Sequence, residues 1–347
     1  MTATRVLTEE ELAALLADAA DPAWSGLSSR PLPAVLDTDF VRTGLHHQLS
    51  KGTPPRSMRT ARDGLLRLFM EYDTLAETAE RLPRFADQLG VSAAELRRVL
   101  NEDWLPHIDV VQLPAALREA DPRAREVRDR DADDYPAAAL AALLSPCLLL
   151  THNYRHFGAL GVHTREQGVD GVMAVATIRV GEMQVRAVVL LPELPARAAV
   201  GAFKWTYERI GPVTWVLVAV LAGGGIYWYC KQPPERRERI KQVAGDIGAS
   251  YLKQAGAAAE VAYQGRVLLR ACVVPRPEQR TIVSAVVREL AIAEESLSAE
   301  QLAELLHPPV RPPVADLRAW LRQHDGTVVA QVRRGGFVLG SRCQLPG

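Results

Sequence analysis

Cysteine is scarce. The chain has four in 347 residues (Cys147, Cys230, Cys272 and Cys343), far apart and with no CxxC pair. That spacing excludes a disulfide framework and a cysteine-ligated zinc site, and fits a reducing compartment. Net charge is lacking as well. Lysine plus arginine and aspartate plus glutamate stand at 41 each, so no global field draws the chain to nucleic acid or to an anionic membrane. The N-terminus lacks the basic start and apolar run of a secretory signal. It carries instead Thr8-Glu9-Glu10-Glu11, a capping box that opens a short helix to Ala20. What remains is an ordinary chain length, enough for two or three domains and at least one substantial core.

One stretch gathers several functional signals. Residues 131–157 open on Asp131, Asp133 and Asp134, continue in an Ala/Leu helix from Pro136, and pass through the apolar strand Cys147–Leu150 to the polar end Thr151-His152-Asn153. Carboxylates at a helix start and polar groups at the carboxyl end of a strand are where open α/β sheets hold ligands. Upstream, Ala34-Val35-Leu36-Asp37-Thr38-Asp39 reads as a buried parallel strand tipped by acids, followed by a helix over 40–49. Asp37 there is either a site residue or a helix cap. Strands are predicted over 65–70 and 108–113, with helices over 75–85 and from the Ser92/Glu95 cap to Leu100. The alternation predicts an α/β fold, a parallel sheet flanked by helices.

Asp37, Glu77, Asp131 and Asp134 all fall at element ends, and a parallel sheet collects such ends along one edge. A cluster of carboxylates without histidine or cysteine partners suits a hard cation, Mg²⁺ or Mn²⁺. Such an ion binds phosphate-ester oxygens and activates a water for in-line attack. His46 and His47 are adjacent and point apart on a helix, so they form no metal pair. His156 could touch substrate, but beside Phe157 it reads first as packing; Lys51, Arg56, Arg59 and Arg62 read as a solvated loop able to meet phosphates.

These residues carry a family resemblance. Val35-Leu36-Asp37-Thr38-Asp39, the run from Leu68 through Glu77 to Phe85, and Asp131 to Ala141 with Leu150-Thr151-His152-Asn153 and His156-Phe157 resemble the PIN-domain nucleases over roughly residues 33–162. The resemblance implies a metal-dependent endoribonuclease, toxin-like, whose partners are RNA and an antitoxin-like inhibitor. It matches Asp37, Glu77 and Asp134 to the catalytic, metal-binding acids, with Asp131 an accompanying acid. Asn153 stands where the family commonly has a fourth acid, and so could ligate only through its amide oxygen. Asp39 stands where a small neutral residue is common. Residues 33–162 hold 16 Lys/Arg against 19 Asp/Glu, which is no RNA-binding patch. Substrate contacts are therefore expected from local groups: Arg42, Thr151 and Arg155, with Lys51 nearby.

The rest divides by composition into an N-terminal helix and connector (1–32), a connecting region (163–209) with two strands around Gly181-Glu182, an uncharged run (210–230), a charged helix and linker (231–280) and a C-terminal module (281–343). The uncharged run is long enough for a transmembrane helix, is bracketed by Trp215 and by Tyr227-Trp228-Tyr229, and is followed by basic residues. It points to a membrane-associated protein with a cytoplasmic nuclease domain. The module reads as three helices and a hairpin resembling a winged helix, with Arg333 and Arg334 at the wing tip. It is expected to take DNA or a protein partner, and a homo-oligomer is expected for the whole. A non-catalytic, membrane-linked regulator with a degenerate PIN domain is the competing expectation.

Overall fold

The computed structural model describes residues 31–184, 233–276, 281–293, 295–306, 311–332 and 335–342. The helix expected near residue 10, the uncharged run 210–230 and the arginines 333 and 334 lie outside the described residues. Among the described residues no helix is long and apolar enough to cross a membrane. The chain divides into two compact units, Asp18–Ala176 with Gly265–Gly347, and Met1–Ala17 with Thr177–Gln264.

The larger unit is built on a mostly parallel sheet. Strand β1 (Leu32–Leu36) is followed by helices α1 (Thr38–Lys51) and α2 (Arg56–Arg62), then β2 (Leu66–Glu71), α3 (Tyr72–Leu89), α4 (Ala93–Val99) and β3 (Ile108–Val111). Helices α5 (Pro122–Arg130) and α6 (Tyr135–Leu144) lead to β4 (Cys147–Leu150). The sheet order is β3-β2-β1-β4, all parallel, and β5 (Val273–Val274) adds an antiparallel edge beside β4. The strands are short apolar runs with both faces covered; every residue of β1, β3 and β4 is buried. All ten residues of α6 are buried too, because the helix is sandwiched between the sheet and the C-terminal elements.

Two expectations change here. Residues 167–184 form one helix, α7, in place of the first expected strand; the second falls largely beyond residue 184. Its glycines explain the choice. A Cβ on Gly171 would fall 2.4 Å from the Leu148 side chain, so the missing side chain lets α7 lie close on β4. In the smaller unit, a Cβ on Gly181 would come within 2.8 Å of the Ala258 carbonyl oxygen, on the long helix α8 (Pro234–Cys272). The basic stretch around Arg56 and Arg59 is likewise helical, as α2, where a loop was expected.

The C-terminal elements are α9 (Ile282–Ile292), α10 (Ala299–Leu305) with the full Ser298/Gln301 capping box, α11 (Val314–Gln323), and the hairpin β6 (Val329–Gln331) and β7 (Phe337–Leu339). They do not stand apart as a module. Their apolar faces share one core with Val35, Phe69 and α6. Buried Arg288 donates to the carbonyls of Leu144 (2.8 Å) and Pro146 (2.6 Å) at the end of α6. Arg67 of β2 donates to the carbonyls of Leu290 and Ala293 at the end of α9, where the helix dipole favours a cation. Ser341 exchanges both backbone hydrogen bonds with Val110, covering the open edge of β3.

Candidate metal centre

The carboxyl ends of β1 and β4 are neighbours in the sheet, and the site starts there. Asp37 follows the last residue of β1 at the N-cap position of α1, yet its side chain makes no capping bond to that helix. The carboxylate accepts a hydrogen bond from the Thr151 hydroxyl at 2.7 Å, just beyond β4. The helix-cap alternative therefore does not account for it. Only 2% of Asp37 is exposed. Burial, and then the charge of Asp134, push its carboxyl up to about 7.

Thr151 also accepts from the Asn153 backbone amide at 2.9 Å, which fixes the turn after β4. That turn aims the Asn153 side-chain amide at Asp134, donating at 2.9 Å. Asn153 thus presents its NH₂ to the acid. The expected ligand oxygen is the other end of the same group. Asp134 sits at the start of α6, ahead of Tyr135 and Pro136, and makes no capping bond either. Burial pushes it up to about 6, with the His156 hydrogen bond pulling it back and Asp131 adding to the rise.

Glu77 comes from the second turn of α3. It accepts from the Thr38 hydroxyl at 2.8 Å and pairs with Arg81 at 2.6 Å, while Arg81 also holds Asp133 at 2.7 Å. Burial raises Glu77 from its ordinary value, partly offset by Thr38 and Arg81. A relay therefore links one acid to the next: Glu77 to Thr38, which follows Asp37, and Asp37 through Thr151 and Asn153 to Asp134. The expected acids sense one another, since Asp134 raises Asp37 and Glu77 raises Asp134.

The residue left out of the expected metal ligands is His156. Its Nδ1 lies 2.6 Å from Asp134 and 3.1 Å from Asp131, and Asn153 Nδ2 is 2.8 Å away. Asp131, Asp134 and His156 place ligand atoms within 4.8 Å of one another. The signal was present in the spacing: His156 is three residues after Asn153, one turn around the same loop. The expected substrate residues divide. Thr151 is inside the relay, whereas Arg42 pairs with Asp39 and lies 5.8 Å over the Phe85 ring. Exposed Arg155 lies over Tyr154 and lines a polar groove of about 550 Å³ with His163 and Arg165.

Buried carboxyls that repel one another are a donor set short of positive charge. Among the described residues, Asp131, Asp134 and His156 bring their ligand atoms close enough to share an ion, a group that includes neither Asp37 nor Glu77; two carboxylates with an imidazole suit Mn²⁺ as well as Mg²⁺. No protein-family model, no curated protein and no solved structure matches the chain.

Proposed function

We propose that the chain is a metal-dependent ribonuclease of the PIN type, hydrolysing RNA phosphodiester bonds. One observation carries this reading. Acids separated by about a hundred residues gather where the ends of β1 and β4 adjoin, linked by Thr38, Thr151 and Asn153, and burial together with mutual repulsion raises their carboxyls. Asp37, Glu77 and Asp134 would hold Mg²⁺ or Mn²⁺, with Asp131 and His156 alongside. The ion, when bound, supplies a lowered pKa for an attacking water and charge for the phosphate oxygens. Thr151 orients Asp37, Asn153 and His156 orient Asp134, and the groove at Arg155 offers cationic contacts to the strand.

A second reading has its own observation. The Asp134 oxygen that a ligand would use is already hydrogen-bonded by Asn153 and lies beside His156. With no fourth acid, this favours a non-catalytic regulator that keeps the fold. The uncharged run 210–230 ties either version to a membrane. The C-terminal elements suit protein contact better than DNA, since Arg318 of α11 is engaged by Glu300. Cleavage of RNA in Mn²⁺ separates the two readings. The wild type is expected to cut, and Asp37→Asn to lose about 100-fold or more in rate, at or beyond the upper range for disturbed metal sites. Equal cleavage by the two proteins, or none by the wild type, rejects the enzyme.

A further inference from the structure

Beside the acids, on the other side of His152, lies a cavity of about 360 Å³ between α1, α2 and α7. Its size is at the lower end of the range of roughly 300–1,000 Å³ for ligand pockets, which suits a guest of nucleoside dimensions. Its chemistry is the reverse of the acidic site. Arg56, Arg59, His47 and His152 line it, and no carboxylate does among the described residues. One wall is aromatic: the rings of Phe40 and His152 stack at 5.4 Å with planes 24° apart.

Two residues of the lining, Ser57 and His152, also carry buried polar atoms without partners among the described residues. Ser57 is 4% exposed, and its hydroxyl has no hydrogen-bond partner among the described residues. The Nδ1 of His152 is buried and unpaired as well. Buried polar groups are nearly always satisfied, and each one left open costs about 1–3 kcal/mol. Both belong to residues at the wall of one cavity, where a small side-chain rotation would bring them to a ligand. Arg59 is exposed and makes no ion pair among the described residues, so its charge is available to an anion.

The position matters as much as the lining. Phe40 is three residues after Asp37 on α1, about 4.5 Å of helical rise, and His152 directly follows the Thr151 that bonds Asp37. We propose that this cavity is a nucleotide subsite, taking one base of the RNA strand whose scissile phosphate lies at Asp37, Glu77 and Asp134. It rests on the ribonuclease reading above. The base lies against the Phe40–His152 wall, because every base has a π-face and aromatic stacking is sequence-tolerant. The Ser57 hydroxyl and His152 Nδ1 meet its polar edge. Arg59, with Arg56 beside it, takes the adjoining phosphate.

The test measures binding of a short fluorescent oligoribonucleotide to the full chain in excess EDTA, so that no turnover is needed. His152→Ala and Arg59→Gln are each expected to weaken binding about tenfold, the scale of one stacked base or one charge-assisted contact. Ser57→Ala is expected to weaken it about fivefold without lowering the melting temperature, since it removes a hydroxyl that has no partner in the free protein. An oligomer of the same length that lacks bases should bind like the His152→Ala protein binds the normal strand. Variants that bind as the wild type does, or an abasic oligomer that binds equally well, overturn the subsite. So does a free nucleoside monophosphate that binds as tightly as the strand, since it marks a site for a small regulator. The two readings fail separately. Loss of binding in the variants without any Mn²⁺-dependent cleavage by the wild type removes the hydrolase and leaves the subsite. Cleavage that all three variants perform normally removes the subsite alone.

Discussion

Asp37 and Asp134 make the site a source of instability at neutral pH. Their carboxyls stand at about 7 and about 6, against 3.8 in an open chain, chiefly because both are buried. An acid raised in the folded state stabilises the fold below its unfolded value, and that contribution is lost as the pH climbs through the folded value. The metal-free protein is therefore expected to lose stability between about pH 4 and pH 7, read as a falling urea midpoint over that window. Asp37→Asn should flatten the curve and raise the melting temperature near pH 8 by at least ~2–4 °C, the shift for about 1 kcal/mol in a protein near this size. It should also abolish most of the stabilisation that Mn²⁺ gives the wild type. A steeper pH dependence in the variant would show that the carboxyl is not strained by burial. Asn153→Asp is expected to act oppositely. It replaces a donor to Asp134 with a further negative charge, so the metal-free stability in urea should fall by roughly 1–3 kcal/mol while Mn²⁺ binds about tenfold tighter in calorimetry. Weaker Mn²⁺ binding would mean that the Asn153 hydrogen bond, rather than the missing charge, sets the affinity. At this scale the position of Asp37 beyond β1 and of Asp134 at the start of α6 was legible, because an apolar strand running into acids and an acidic cluster ahead of an Ala/Leu helix mark element ends. His156 was not: a histidine next to a core phenylalanine has the same local pattern whether it packs or faces a carboxylate.

Among elements, the strands were the easiest to read and the helix α7 the hardest. Leu32–Leu36 and Cys147–Leu150 are uninterrupted apolar runs bounded by polar residues, the pattern of a strand covered on both faces. Residues 172–180 are rich in β-branched side chains, which locally favour a strand. What decides for a helix is tertiary: Gly171 and Gly181 permit close approach to Leu148 and to Ala258, contacts no local pattern announces. Strand β5 is two residues long and follows a 39-residue helix, too brief to leave a periodicity. The same kind of long-range contact holds α9. Arg288 is 4% exposed and its guanidinium serves two carbonyls at the end of α6. Arg288→Met keeps most of the volume but leaves both carbonyls unpaired, for an expected loss of about 2–4 kcal/mol in urea unfolding. A loss below about 1 kcal/mol would mean that water replaces the guanidinium and that α9 is held by its apolar face alone.

For the molecule as a whole, the sequence suggested a nuclease-like domain ending near residue 162 and a separate module from 281. Composition shifts and proline-rich stretches mark where a chain changes character, but they do not record which apolar faces meet. In the larger unit those faces meet completely. Val286, Val287 and Leu290 of α9, Leu302 of α10, Leu317 and Leu321 of α11, and Phe337 and Leu339 of β7 are all buried in the cluster that contains α6 and the sheet residues Val35 and Phe69. Burying one such side chain contributes about 1.5–3 kcal/mol, so eight contribute on the order of 12–24 kcal/mol, as much as or more than the roughly 5–15 kcal/mol of net stability typical of a domain. A chain ending after Pro275 would also expose the outer face of α6, leave Arg67 and Asp109 without the α9 carbonyls and Arg342 that accompany them, and open the β3 edge that Ser341 covers. It is therefore expected to show no cooperative melt, to bind a hydrophobic dye at 25 °C and to aggregate, with no measurable Mn²⁺ affinity. A truncated chain that melts sharply and binds Mn²⁺ like the full protein would restore the separate-module reading. Asp37 beyond β1 and Asp134 at the start of α6 depend on that outcome, because α6 is packed on its outer side by the C-terminal elements.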